Sequence, residues 1–273
     1  MKSAITICLV KEAAAGPFVF HTDLAVGCAQ AAQLGFDAVE IFPPQAKAVN
    51  VAQVKSLLKK HRLQVAAVGT GAGWLRHKLS LTSADRAVRT KAIAFIRSIV
   101  DLAAEFQAPA IIGSMQGKVE APVSRAEALD HLAAGLEKLS ARATAQGTTL
   151  LYEPLNRYET NLFNQIAVAA DWLRERQLSG VKILADLFHM NIEETDLAAA
   201  LRAAGAAVGH VHFADSNRRA MGLGHTKVKP VIQALRAIKY TGYLSAEIFP
   251  APTPLAAAQQ TIASFRQATA GKS

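Results

Sequence analysis

Short β-rich runs and longer amphipathic runs alternate eight times along this chain, and that alternation limits the fold more than any other feature. The strand candidates are residues 4–10, 37–42, 63–69, 110–113, 149–153, 181–186, 208–213 and 243–248. Between them lie runs with apolar residues at three- and four-residue spacing, such as Ile93, Ile96, Val100 and Ala103, then Leu129, Leu132, Leu136 and Leu139. Thr82-Ser83-Ala84-Asp85 and Ser124-Arg125-Ala126-Glu127 resemble capping boxes that open helices. Gly35, Gly147, Gly180, Gly205 and Gly242 stand where helices should stop and turn back into strands. Eight such units in 273 residues, with no linker-like stretch, predict an α/β fold: a single (β/α)8 TIM barrel with residues 1–273 as one domain. A doubly wound open sheet would need fewer units or a second domain to use the length.

Composition narrows the function. Hydrophobic residues make up 51% and charged residues 19%, which excludes a disordered or coiled-coil chain. Aromatic residues are only 6%, so the core must be built from Ala, Leu, Ile and Val. No apolar run approaches the roughly 18 residues that cross a bilayer, so no membrane partner is expected. The apolar opening, residues 4–10, is followed by Lys11 and Glu12 and reads as a strand rather than a leader. Cys8 and Cys28 form no disulfide framework and read as small buried residues in a reducing, cytoplasmic compartment. The formal charge of +9 is scattered over predicted helices, with Lys59-Lys60-His61-Arg62 the densest run. That distribution suits solvated helix faces better than a nucleic-acid stripe, and no nucleic-acid partner is expected.

In a parallel barrel, chemistry gathers at the C-terminal ends of the strands. The fifth strand ends in Tyr152-Glu153-Pro154 and the sixth in Leu184-Ala185-Asp186. The seventh carries His210-Val211-His212, and the eighth Ser245-Ala246-Glu247. Side chains alternate along a strand, so Glu153 shares a face with Leu151, Asp186 with Leu184 and Glu247 with Ser245. Three carboxylates converging without a cation would repel one another. A divalent metal held by Glu153, Asp186, His212 and Glu247 resolves the repulsion. Three oxygen donors and one imidazole suit one divalent cation, Mn²⁺ first, with Mg²⁺ or Co²⁺ as alternatives. Taken singly, each acid could be a loop hydrogen-bond acceptor and the histidine a core residue. His210, one layer deeper, reads as packing or support for His212. Trp74 and Glu40 fit pocket walls or ordinary loop packing equally well; Trp74 is kept as a substrate-contact candidate and Glu40 is not.

The segments Glu153-Pro154-Leu155-Asn156-Arg157-Tyr158-Glu159-Thr160, Ala185-Asp186-Leu187-Phe188-His189-Met190-Asn191-Ile192-Glu193-Glu194 and His212-Phe213-Ala214-Asp215-Ser216-Asn217-Arg218 resemble signature segments of the ketose 3-epimerases. That family includes D-tagatose/D-psicose 3-epimerases and 5-keto-L-gluconate epimerase-like enzymes, within the xylose-isomerase-like TIM-barrel superfamily. Gly69-Thr70-Gly71, Leu79-Ser80-Leu81-Thr82 and Gly222-Leu223-Gly224-His225 resemble the same group. The resemblance implies a divalent-metal-dependent sugar epimerase that inverts the carbon next to a ketose or keto-acid carbonyl through an enediolate. It implies that Glu153 and Glu247 bind the metal and serve as an opposed acid/base pair. It also implies that His189 and Arg218 hold the carbonyl end of the sugar, and that Glu159 supports a catalytic glutamate or its substrate contact. A small-molecule sugar substrate and a homodimer or homotetramer follow from the same resemblance.

Two departures fall near the barrel mouth and bear on substrate choice. Lys227-Val228 follows Gly224-His225-Thr226 where relatives commonly have an acidic and an aromatic residue, and Ser114-Met115-Gln116-Gly117 replaces a common Arg-Gly pair. Gly69-Thr70-Gly71-Ala72-Gly73 invites a dinucleotide reading, but Trp74 follows and no acidic strand end comes about 20 residues on. It is expected to form a flexible loop over the pocket. An aldose–ketose isomerase (hydroxypyruvate-isomerase-like) or a sugar dehydratase of the same superfamily would use nearly the same groups. An endonuclease-IV-like repair protein would need a multi-zinc cluster, whereas His21, His61, His77, His131 and His225 fall mostly in predicted loops and helices.

Overall fold

A computed structural model describes residues 1–270. Among these residues nine strands form one parallel sheet: β1 (Lys2–Cys8), β2 (Phe20–His21), β3 (Ala38–Phe42), β4 (Gln64–Gly69), β5 (Ala110–Ile112), β6 (Leu150–Tyr152), β7 (Val181–Asp186), β8 (Val208–His212) and β9 (Tyr243–Ala246). Pairing of β1 with β9 closes the eight long-range neighbours into a barrel, with Ala4 opposite Ser245 and Ile5 opposite Ala246. The two-residue β2, absent from the sequence reading, hangs on the outer end of β1 through Ile7 and Cys8. The fold is the expected (β/α)8 barrel, and all eight strand candidates are present with ends shifted by a few residues.

Alternation along each strand decides which side chains meet. Ala67, Ile111, Leu151 and Leu184 fill one layer inside the ring, and Ala4, Ala38 and Ala66 fill another. The intervening Ile5, Ile7, Val39, Ile41, Ile112 and Ile183 face the helices and join the main core with Ile96, Leu132 and Leu136. Ten α-helices occur among the described residues: α1 (Leu24–Leu34), α2 (Val51–His61), α3 (Ala72–His77), α4 (Arg86–Ala104), α5 (Arg125–Ala145), α6 (Ile166–Glu175), α7 (Leu187–Glu193), α8 (Leu197–Ala204), α9 (Val228–Ala237) and α10 (Pro254–Thr269). Short α3 and α7 lie in the loops at the mouth rather than in the outer ring. Among the described residues no helix is long and apolar enough to cross a membrane. Cys8 and Cys28 are free and buried.

Several helix boundaries differ from expectation. Ser124 and Glu127 form the full reciprocal capping box of α5, but α4 is capped by Asp85, whose carboxylate accepts from Ala87 N. Thr82 is not its cap; its hydroxyl donates to Lys118 O at 3.0 Å. Gly35 and Gly205 close α1 and α8, and Gly147 follows α5 with φ of 73°. Past α6 and α9 the left-handed residues are Gln177 and Lys239, not Gly180 and Gly242. Gly71-Ala72-Gly73 does not form the flexible loop expected of it, because α3 begins at Ala72 with both Ala72 and Gly73 buried.

Two irregularities set the height of the site. Between β3 and β4, Val39 faces Val65 but Glu40 faces Ala67, so Ala66 is an extra residue. Between β7 and β8, Ile183 faces Val208 but Leu184 faces His210, so Gly209 is extra. Bulges of this kind re-aim side chains beside functional sites. Here the second one sets Asp186 directly opposite His212.

Candidate active site

Glu153 and Glu247 stand one residue beyond β6 and β9, while Asp186 and His212 are the last residues of β7 and β8. All four side chains turn into the barrel mouth and are largely buried. His212 Nδ1 lies 3.5 Å from Glu153 Oε1, 3.5 Å from Asp186 Oδ2 and 3.9 Å from Glu247 Oε2. The backbone of Glu153 is fixed on both sides. Its N–H extends the ladder to Ile112 O at 3.0 Å, and its carbonyl accepts from Gln116 Nε2 at 2.9 Å. Gln116 is itself held by the buried hydroxyl of Tyr152 at 2.6 Å.

Glu153 Oε1, Asp186 Oδ2 and His212 Nδ1 are buried and lack an aligned hydrogen-bond partner. Buried polar atoms are normally satisfied. Three unsatisfied donors of electron pairs, all within 4.8 Å of one another, therefore fit a divalent cation. Without one, protons must compensate. Burial pushes the Glu153 carboxyl up to about 7, helped by the charges of Glu247 and Asp186. Burial acts on Asp186 too, but His189, His212 and Arg218 outweigh it and hold that carboxyl well below the usual range. Burial alone would strip His212 of its proton; Glu40, Asp186 and Glu153 keep the imidazole charged well above its ordinary value.

His189, on α7, is oriented from behind. Its Nδ1 accepts from the backbone N–H of Asn156 at 3.3 Å and pairs with Asn156 Nδ2 at 2.8 Å. A backbone N–H can only donate, so Nδ1 carries no proton and the proton sits on Nε2. Burial drops this histidine to about 4, so it is neutral. Nε2 is left without a partner, 3.6 Å from Asp186 Oδ2 and 3.9 Å from Glu153 Oε1. It is a hydrogen-bond donor aimed at the cluster, and it has no lone pair there for a cation.

Arg218 lies on the loop after β8 in the left-handed conformation, φ 57°. Its N–H donates to Asp215 O, and its carbonyl accepts from Phe249 N, both at 2.8 Å. Its guanidinium lies over the Phe188 ring, 4.9 Å from the centroid. Nη2 donates to Glu247 Oε2 at 2.5 Å, and Glu159 Oε1 lies 4.0 Å from Nη1. Glu159 is also steadied by Asn156 Nδ2 at 3.2 Å. The carboxylate of Asp215 organises the rest of the loop, accepting from the N–H groups of Ser216, Gly222, Gly224 and Thr226.

Glu40 is the residue that the sequence reading set aside. At the inner face of β3, its Oε2 accepts from His210 Nε2 at 2.9 Å, and its Oε1 accepts from Thr6 Oγ1 at 3.1 Å. The same Oε1 is 3.3 Å from His212 Nε2. Although it is buried, the charges of His212 and His210 and their hydrogen bonds hold its carboxyl well below the usual range. The signal was its inward phase on β3, shared with Ala38. Glu40, His210 and His212 also have metal-capable spacing, but the Glu40–His210 hydrogen bond already closes that group. It supports His212 from below.

A cavity of about 380 Å³ opens above the cluster. Glu40, Glu153, Glu159, His189, His212, Arg218 and Glu247 line its floor and one side; Phe18, Phe42, Trp74, Leu75 and Leu155 are among the residues of its apolar walls. Phe18 and Phe42 stack at 4.8 Å between centroids. All eight site residues expected from the sequence except Asp186 line this cavity, and Asp186 lies just beneath it. With apolar walls and convergent polar groups it has the makeup of a small-molecule site.

Residues 28–268 match the family described as xylose isomerase-like TIM barrel, and the chain belongs to that family. Within it the chain is similar to ketose 3-epimerases, the group its signature segments resemble. It is 31% identical over 222 residues to the D-psicose 3-epimerase of Agrobacterium fabrum, covering 80% of this chain and 76% of that protein. It is 32% identical over 223 residues to the 3-dehydro-D-guloside 4-epimerase of Escherichia coli, covering 78% of this chain and 82% of the relative. The crystal structure of the D-allulose 3-epimerase from Methylomonas sp. in complex with D-allulose matches with a TM-score of 0.81 at 25% identity, over 97% of each chain.

Proposed function

We propose that this protein is a divalent-metal-dependent sugar epimerase that inverts the carbon beside the carbonyl of a ketose or keto-acid. One observation carries the reading: the unpartnered atoms of Glu153, Asp186 and His212 converge beneath a cavity that also presents His189 as a donor and the Arg218–Glu247 pair. The 3-epimerase and 4-epimerase relatives support it. Glu153, Asp186, His212 and Glu247 hold the cation, Mn²⁺ foremost. When bound, the cation polarises the carbonyl and stabilises the negative charge left by proton removal.

The residues divide the remaining work. One of Glu153 and Glu247 takes the proton from the carbon next to the carbonyl, giving an enediolate, and the other returns a proton to the opposite face. Two bases are needed because a single one would hand the proton back to the face it came from. His189 donates its Nε2–H to a substrate oxygen. Arg218 orients Glu247 and neutralises developing oxygen charge, and Glu159 keeps the guanidinium in place. Trp74 closes the apolar side against water. Residues 1–273 act as one domain in this reading, and the buried free thiols suit a reducing, cytoplasmic setting. A homodimer or homotetramer is the assembly this family resemblance favours.

The test is turnover of ketoses and keto-acids by the Mn²⁺-reconstituted protein in heavy water. Deuterium at the inverted carbon, with the carbonyl left in place, is the expected result. An aldose product would assign isomerisation, and loss of water a dehydratase. Absence of exchange with every ketose and keto-acid would overturn the proposal.

A further inference from the structure

The cavity does not end at the groups surrounding the reacting carbon. A second chamber of about 280 Å³ opens beside it and shares Trp74, Ser114, Leu155 and Glu159 as a common wall. Its outer side is formed by Tyr158, Gly117 and Lys118. Ser114, a small residue, stands on the wall between the two chambers.

Tyr158 is 81% exposed, more than any other large hydrophobic side chain that is exposed among the described residues. Its loop is nevertheless firmly tied. Tyr158 N donates to Asn156 Oδ1 at 3.0 Å. Arg157 grips Glu193 through its backbone N–H at 2.6 Å and its guanidinium at 3.0 Å. Thr160 Oγ1 donates to Gly117 O at 2.8 Å, and Asn164 Nδ2 donates to both Leu155 O and Thr160 O. An aromatic ring held out on a rigid loop at the mouth of a site loses little freedom when a ligand covers it.

The lining selects the ligand by charge. Lys118 Nζ is engaged by Glu120 at 2.9 Å, and the inner wall carries the Glu159 carboxylate. A phosphate or carboxylate would meet the Glu159 carboxylate on the inner wall, and Lys118 is shared with the exposed Glu120. A neutral polyhydroxylated ring suits it: C–H faces against Tyr158 and Trp74, hydroxyls toward Ser114 and Glu159.

We propose that this chamber is a second-sugar subsite and that the preferred substrate is a keto-glycoside, an oxidised sugar carrying a second neutral sugar ring. The inference rests on the epimerase reading of the adjoining site and deepens it.

The test compares D-psicose with a 3-keto-disaccharide, 3-keto-cellobiose, on the Mn²⁺-loaded wild type and Tyr158→Ala. It reads steady-state kinetics, calorimetric binding and sedimentation. The wild type should prefer the disaccharide by at least about tenfold in kcat/KM. Tyr158→Ala should lower the disaccharide value roughly three- to tenfold, chiefly through KM, and leave D-psicose within about twofold. Equal use of both sugars by the wild type, or equal loss on both in the variant, overturns the subsite. So does dissociation of an oligomer by Tyr158→Ala with disaccharide kinetics unchanged, which would assign the ring to a contact between copies. If neither sugar is turned over, the wider exchange test with ketoses and keto-acids decides the epimerase reading, and calorimetry alone decides the subsite. Tyr158-dependent binding of the disaccharide would retain it, and absence of binding would discard it.

Discussion

Oε1 of Glu40 lies 3.3 Å from Nε2 of His212, while the ring's other nitrogen faces Glu153 and Asp186 at 3.5 Å. An anion behind Nε2 favours a proton there and leaves the Nδ1 lone pair free for a cation. Replacing Glu40 with Gln should weaken Mn²⁺ affinity by roughly ten- to a hundredfold. Titration of the variant, with circular dichroism to check the fold, measures this. An affinity equal to wild type would remove Glu40 from the metal's support.

Glu153→Gln and Glu247→Gln each remove one candidate proton carrier while keeping side-chain size. Each should lower kcat by about a hundred- to ten-thousandfold with the barrel intact. Near-wild-type turnover in either variant would strike that residue from the mechanism.

Protons and cation compete for the same atoms. Glu153 is raised by burial to about 7, and His212 is held well above its ordinary value by Glu40, Asp186 and Glu153 against its own burial. In the cation-free protein these two groups therefore hold more protons in the native state than in the unfolded chain. These two groups stabilise the fold fully at low pH and lose that contribution as pH rises through about 7 and beyond. A cation must displace both protons, so its affinity rises over the same interval. The gain in Tm on adding Mn²⁺ should be small near pH 5.5 and grow toward pH 8. Thermal scans at fixed Mn²⁺ across that range check it; a gain independent of pH would contradict it.

Asp215 gathers four N–H groups of the loop that carries Arg218. Asp215→Ala leaves those donors without their partner and should cost roughly 2–3 kcal/mol. Because the loop that carries Arg218 is loosened with it, KM should rise as well as Tm fall. Denaturant unfolding and steady-state kinetics together separate this from a variant that merely loses stability.

Glu153, Asp186, His212 and Glu247 were legible because two regularities coincide in a parallel barrel. The two-residue period fixes which face a strand residue takes, and the strand end fixes its height. Glu40 obeys the same rules but stands alone on its strand, across the ring from the others. Only closure brings it under His212, and no spacing along the chain records closure. His189 and Arg218 were reached through family resemblance, since α7 and a left-handed loop residue follow no strand period. The helix ends show the limit from the other side. Gln177 and Lys239 adopt the left-handed turn where glycine was expected, because the backbone hydrogen bonds of Gln177 N to Arg174 O and Lys239 N to Arg236 O secure it without one.

The ring is sealed by the pairing of its earliest strand with its last. During synthesis the three acids and two histidines lower in the cluster must wait until β9 has left the ribosome before Glu247 joins them. A chain halted ahead of Tyr243 would carry mutually repelling carboxylates in an open trough, poorly able to retain an ion. Closure of the ring and completion of the acid cluster thus depend on the same final strand.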